Sequence, residues 1–180
     1  QDSNPSVNID YTAAVQEEVK NLIDRGSKRI AFVSGPLNRA INGKYRLKGY
    51  KAALKAAGVP FDDKLIFETD SKYKTGTLLQ PALMAVNATA AMVSDDELAA
   101  GIMNGMTDAG VKVPDDFEVV TSNDTKLTEM VRPKMSSITK PLYDIGAVAM
   151  RLLTKLMNDE PVDNKNVLLP YGLMKRESTK

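Results

Sequence analysis

The sequence predicts an α/β fold: a parallel sheet with helices on both faces. Short apolar runs rich in β-branched residues recur over 29–34, 65–68, 89–93 and 117–122. Between them lie stretches with apolar positions three and four apart, and Gly or Gly-Pro pairs mark the joins. Strands that are apolar throughout, instead of alternating, are those covered on both sides.

Taken in order, Asp10 is placed to cap a helix in which Val15, Val19, Leu22 and Ile23 recur at helical spacing and which stops at Gly26. Arg29-Ile30-Ala31-Phe32-Val33-Ser34 is the first strand, followed by a loop rich in Pro, Asn and Gly. A helix over 44–57 turns Leu47, Tyr50 and Leu54 to the core and ends at Gly58-Val59-Pro60. Leu65-Ile66-Phe67-Glu68 is the second strand. A third helix opens at Thr75-Gly76, and Pro81 kinks or shortens it by removing an N–H. The third strand is Thr89-Ala90-Ala91-Met92-Val93. Asp95 or Asp96 then caps a helix reaching Gly110, with Leu98, Ile102, Met103 and Met106 inward, and 117–122 is the fourth strand. After Pro133 the pattern changes to an extended segment over 135–139, a helix from near Pro141 to Met157, and one terminal strand over 167–174.

Composition removes several function classes. The 24 Lys+Arg against 23 Asp+Glu leave a formal charge of +1, so no overall field draws the chain to nucleic acid or an anionic membrane. Without Cys or His there is no disulfide, thiolate nucleophile or imidazole base, which restricts any enzymology to carboxylates, Lys, Ser, Thr and Tyr; no metal site, catalytic residue or cofactor is expected. No apolar stretch approaches a membrane span, and the first residues do not form a signal peptide, which points to a cytoplasmic protein. The segment from Gly35 to Gly43-Lys44 is not a phosphate loop, because seven residues separate the glycines and Tyr45 stands where Ser or Thr would hold Mg²⁺. Asp95-Asp96 and Glu17-Glu18 are not catalytic pairs, since neighbours on a helix point about 100° apart.

Ligands of open parallel sheets bind beyond the carboxyl ends of the strands. Those ends carry Ser34-Gly35, Thr69-Asp70, Ser94-Asp95-Asp96 and Ser122-Asn123-Asp124. Singly, each reads as a cap or turn; gathered, hydroxyls, amides and carboxylates suit a polyhydroxy ligand. Ser34, Arg46, Asp70, Asp96, Asn123 and Asp124 are the candidate effector contacts. On the late helix, Asp144, Ala147, Arg151 and Lys155 fall at i, i+3, i+7 and i+11 on one face, while Ile145, Val148, Leu152 and Leu156 share another. The first face offers an acceptor for a basic side chain and donors for a phosphate.

Val113-Pro114-Asp115-Asp116-Phe117-Glu118-Val119-Val120, Met130-Val131-Arg132-Pro133, the helix Arg46-Leu47-Lys48-Gly49-Tyr50-Lys51-Ala52-Ala53-Leu54 and above all the run 143–155 resemble the effector-binding core of LacI/GalR-family transcription regulators. The resemblance covers nearly all of the chain. It implies a periplasmic-binding-protein-like core with one full subdomain over 10–138 and a crossover plus part of a second over 1–9 and 139–180. It also implies a DNA-binding headpiece outside this sequence, and a homodimer meeting at Leu127 and Met130, beside which Met103 and Met106 extend a flexible apolar patch. Arg46 would reach a sugar or sugar-phosphate effector, whereas Asn123 replaces a carboxylate that clamps sugar hydroxyls in relatives. In members devoted to carbon catabolite control, the late helix docks the phosphocarrier HPr bearing a serine phosphate, which assigns that contact to Tyr143, Asp144, Ala147, Met150, Arg151 and Lys155. Gly172 stands where relatives often carry an Arg. A sugar-binding protein of a transport system shares the fold and remains the alternative.

Overall fold

The computed structural model describes residues 4–39 and 42–180. Its elements in chain order are β1 (Ser6–Ile9), α1 (Tyr11–Asp24), β2 (Ile30–Ser34), α2 (Gly43–Ala56), β3 (Ile66–Glu68), α3 (Tyr73–Thr77), α4 (Gln80–Ala85) and β4 (Ala90–Val93). Then follow α5 (Asp96–Asp108), β5 (Glu118–Thr121), α6 (Leu127–Met130), β6 (Ser136–Thr139), α7 (Leu142–Met157), β7 (Asn166–Leu169) and β8 (Gly172–Met174). They form two compact units, one of residues up to Asp10 with Lys140–Gly172, the other of Tyr11–Thr139 with Leu173–Lys180.

The larger unit is built on a six-stranded sheet in the order β3-β2-β4-β5-β6-β8. From β3 through β6 every pair is parallel, and every residue of β2, β4 and β5 is buried, Ser34, Glu118 and Thr121 included beside their apolar neighbours. The chain leaves β2 for β3 on one side and then returns to β4 on the other. The winding therefore reverses between β2 and β4, and loops leaving their carboxyl ends diverge to leave a crevice. Successive residues alternate between the two faces. Ala31, Val33, Ala91, Val93 and Val119 join a core with Leu98, Ile102, Met103 and Met106 of α5. On the other face the Phe32 ring lies 5.4 Å from that of Tyr50, whose buried hydroxyl donates to the Ile30 carbonyl at 2.8 Å. Helices α3 and α5 meet backbone to backbone at Gly76 and Gly101, where a Cβ on either would stand under 3.0 Å from main-chain atoms of the other helix.

The smaller unit pairs β1 with β7 in parallel, Ser6 opposite Asn166 and Ile9 opposite Leu169, and packs α7 against β1. Ile9 and Leu152 are its buried apolar side chains among the described residues.

Four expectations are corrected. The helix expected to be kinked at Pro81 is two short helices, with Pro81 in the first turn of α4 where its missing N–H costs nothing. The single strand expected over 167–174 is two strands in different sheets, interrupted at Pro170, which cannot donate to a ladder. Residues 173–180, grouped in the sequence with the smaller unit, belong to the larger one. The cause is a run of hydroxyls: Ser178 Oγ donates to the Val119 carbonyl at 2.6 Å and accepts from the Ser136 N–H at 2.8 Å, and its backbone pairs with both Val119 and Lys134. Ser178 thus bridges β5 and β6, beyond their own two paired positions. Finally, Met103 and Met106 are fully buried and contribute no surface patch.

Candidate functional site

At the carboxyl ends of the strands, the loops after β3, β4 and β5 enclose a cleft of about 500 Å³ lined by Ser71, Asp95, Asp96, Glu97, Asn123, Thr125 and Leu127. Asp95 is the N-cap of α5, its carboxylate accepting from the Glu97 N–H at 3.0 Å. That orients the first turn so that Asp96 is buried and points to the neighbouring loop, where it accepts from Thr121 Oγ1 at 2.7 Å, Thr125 N at 2.8 Å and Thr125 Oγ1 at 2.6 Å. Three donors satisfy this buried side chain and hold the loop to the helix. Asn123 is tied to the β4 end through Nδ2, which donates to the Ser94 carbonyl at 3.3 Å. Across the cleft Ser71 has φ 60°, a left-handed conformation uncommon outside glycine, and its N–H donates to Thr69 Oγ1 at 3.1 Å.

Of the six effector contacts read from sequence, Asp96 and Asn123 line this cleft. Ser34 is buried and its hydroxyl donates to the Gly35 carbonyl at 2.8 Å. Asp70 accepts from the Lys72 N–H at 3.1 Å and pairs with the Lys72 ammonium at 3.6 Å; a hydrogen bond from Thr75 and that N–H hold its carboxyl below the usual range. Arg46 lays its guanidinium over the Tyr11 ring, 4.4 Å from the centroid, with Nε buried and without a hydrogen-bond partner. Burial lowers its pKa, with Tyr11 and the Asp95 charge opposing, so Arg46 stays cationic. Asp124 is engaged internally: Oδ1 accepts from Ser137 Oγ at 2.7 Å, Arg176 Nη1 at 3.0 Å and Thr128 Oγ1 at 3.1 Å. Ser71, Asp95, Glu97 and Thr125 were not singled out, although Asp95 lay inside the Ser94-Asp95-Asp96 run. The signal for Thr125 was a hydroxyl right after Asn123-Asp124; Ser71 carried none.

In the smaller unit, α7 presents Tyr143 at 88% exposure and Met150 at 62%, beside exposed Asp144, Arg151 and Lys155, with Ala147 half-buried among them. Asp144, Arg151 and Lys155 enter no salt bridge among the described residues. In the larger unit, Met130 ends α6 at 74% exposure, while Leu127 is half-buried against the core.

A profile of the periplasmic binding protein-like domain matches residues 19–179. The chain belongs to that family. Catabolite control protein A of Streptococcus mutans is 51% identical over 98% of the chain, which spans 53% of that relative. The crystal structure of the transcription regulator CcpA of Lactococcus lactis superposes with a TM-score of 0.93 at 44% identity, covering 98% of the chain and 65% of the structure. A complex of the transcriptional regulator CelR with cellobiose superposes with a TM-score of 0.90 at 29% identity, covering 99% of the chain and 55% of that structure. The expected likeness to LacI-type transcription regulators and the expected fold class both hold. The chain spans about half the length of the curated relatives it matches.

Proposed function

We propose that this chain is the sensing portion of a transcription regulator of carbon catabolite control, in which α7 docks serine-phosphorylated HPr and the cleft of the larger unit takes a sugar or sugar phosphate. The observation that carries the reading is the exposed face of α7, where Asp144, Arg151 and Lys155 enter no salt bridge among the described residues, next to exposed Tyr143 and Met150. An ion pair between proteins gains most when its members arrive without intramolecular partners and are desolvated together. Arg151 forks onto the serine phosphate, Lys155 adds a second positive charge one turn on, and Asp144 accepts from a basic group of the partner. Tyr143 and Met150 supply the apolar contact that excludes water.

In the cleft, Asp95, Glu97 and Asn123 accept from and donate to sugar hydroxyls, while a phosphate would need the Arg46 guanidinium. DNA is contacted by a headpiece elsewhere in the polypeptide, two copies associate through Met130 and Leu127, and the protein works in the cytoplasm. Partner and effector act by favouring whichever arrangement of the regulator they bind more tightly. Titration calorimetry of the full-length regulator with HPr and serine-phosphorylated HPr tests this. Arg151→Ala is expected to weaken the phosphorylated partner roughly thirty-fold, about 2 kcal/mol, and to change stability by no more than about 0.5 kcal/mol. Equal affinity for wild type and variant would remove Arg151 from the contact.

A further inference from the structure

Asp124 lies between two residues that line the cleft, yet its own partners all lie behind it. Asn123 is held to the Ser94 carbonyl and Thr125 to Asp96, so the loop 123–125 has two anchors on the cleft side. The third anchor is Asp124, and its cationic partner Arg176 comes from a strand end 52 positions later. Arg176 is itself fixed. Its N–H donates to Ser136 Oγ at 2.8 Å, Ser136 Oγ donates to its carbonyl at 3.2 Å, and Nη1 is shared among Asp124, the Met135 carbonyl at 2.9 Å and Ser137 Oγ at 2.8 Å. Nη2 stands 3.7 Å from Glu129. The Arg176 side chain is nearly buried, at 11% exposure, so its charge is held in a medium of low polarity where an unpaired partner is costly.

We infer that Arg176 is a positioning residue of the cleft: through Asp124 it sets the placement of Asn123 and Thr125, and so the affinity of the site, without touching the ligand. This rests on the reading of the cleft as a sugar site only for its effect on affinity. The positioning itself has an independent readout. A residue that merely supported the fold would, when lost, loosen the sheet as a whole; the Arg176 guanidinium addresses one loop, because two of the three acceptors of its Nη1 are Asp124 and the Ser137 hydroxyl that also donates to Asp124.

Amide hydrogen exchange on the full-length protein tests it, with Arg176→Met, Asp124→Asn and the double variant, alongside binding of cellobiose and glucose 6-phosphate as probes. Exchange at Asn123 and Thr125 is expected to rise about tenfold in Arg176→Met, as the loss of one charge-assisted contact implies, with β2 and β4 amides unchanged. The double variant should exchange no faster there than the faster single one. A wild-type loop in Arg176→Met, or a rise matched across β2 and β4, overturns the assignment. Should that variant fail to fold, Arg176→Gln, which can still donate to the Met135 carbonyl, takes its place under the same criteria. If either probe binds, its affinity should fall with the loop's protection, and a variant with a loosened loop but wild-type affinity overturns the effect on binding. Failure of both probes to bind wild type counts against the sugar reading, while the exchange data still decide the placement of the loop.

Discussion

Gly101 lies inside α5 at the crossing with α3, and Gly101→Ala sets two effects of opposite sign against each other. Alanine in a helix interior is favoured over glycine by about 1 kcal/mol. The added Cβ, however, would stand 2.1 Å from the Tyr73 carbonyl oxygen, 2.9 Å from Gly76 Cα and 3.0 Å from Thr77 N. Non-bonded heavy atoms pack at about 3.5–4.0 Å, so the helices would have to part by about 1 Å or more, and every atom in the way is backbone that no rotamer change removes. Overpacking costs about 1–3 kcal/mol when side chains can yield, and here they cannot, so the clash wins and the net loss is about 2 kcal/mol. With a urea slope of about 1–3 kcal/mol/M, the midpoint should fall by about 1 M. Gly146 is the control, since it lies inside α7 with nothing within 4 Å of its added Cβ. Gly146→Ala should be neutral or stabilise the smaller unit by up to about 1 kcal/mol. Denaturation followed by far-UV circular dichroism, with exchange at β2 and β4 amides to isolate the larger unit, measures both. A Gly101→Ala protein as stable as wild type would refute the inference that this crossing has no room for a methyl group.

Two further outcomes are expected. Glu18 is buried on α1, and burial raises its carboxyl pKa against the opposing pull of Arg25, so the native state holds the proton more tightly than the unfolded chain. Stability from this group is therefore present at low pH and lost as pH rises through the raised value, and Glu18→Gln should stabilise at pH 7.5 by more than at pH 4; an equal shift at both, by thermal unfolding, rules this out. Light scattering at high micromolar concentration should show a dimer weakened by Met130→Glu, and a monomer unaffected by the change would remove α6 from the interface.

The sheet was legible because its central strands are mostly apolar, with no polar residue at every second position, and because Gly26, Gly58 and Gly110 sit in left-handed turns just past α1, α2 and α5. The polar carboxyl ends of those strands were legible for the same reason: Asp96 and Asn123 follow directly from where β4 and β5 stop. What was not legible depends on partners far away in sequence. Nothing local distinguishes Asp124, occupied by Arg176, from Asn123 beside the cleft, and nothing local says that β8 leaves the sheet of β7. A hydroxyl-rich Ser136-Ser137 in a strand and Ser178-Thr179 near its match were the available hint, since buried hydroxyls require partners. For α7, periodicity separated Leu152 from Arg151, but spacing alone is equally consistent with a solvated face.

The bridge made by Ser178 has a consequence for the order in which this protein can be assembled during synthesis. When a ribosome has released residues 11–139, five strands of the larger sheet exist, but the Val119 carbonyl and the Ser136 N–H still lack their partner. The polypeptide must next produce α7 and β7, which belong to the other unit, before Ser178 emerges to close the seam and the Lys180 N–H reaches the buried Glu118 carboxylate at 2.9 Å. The seam of the larger unit thus closes only after most of the smaller one has been made, and a nascent chain paused in β7 leaves the edge of β6 that receives β8 open to other strands.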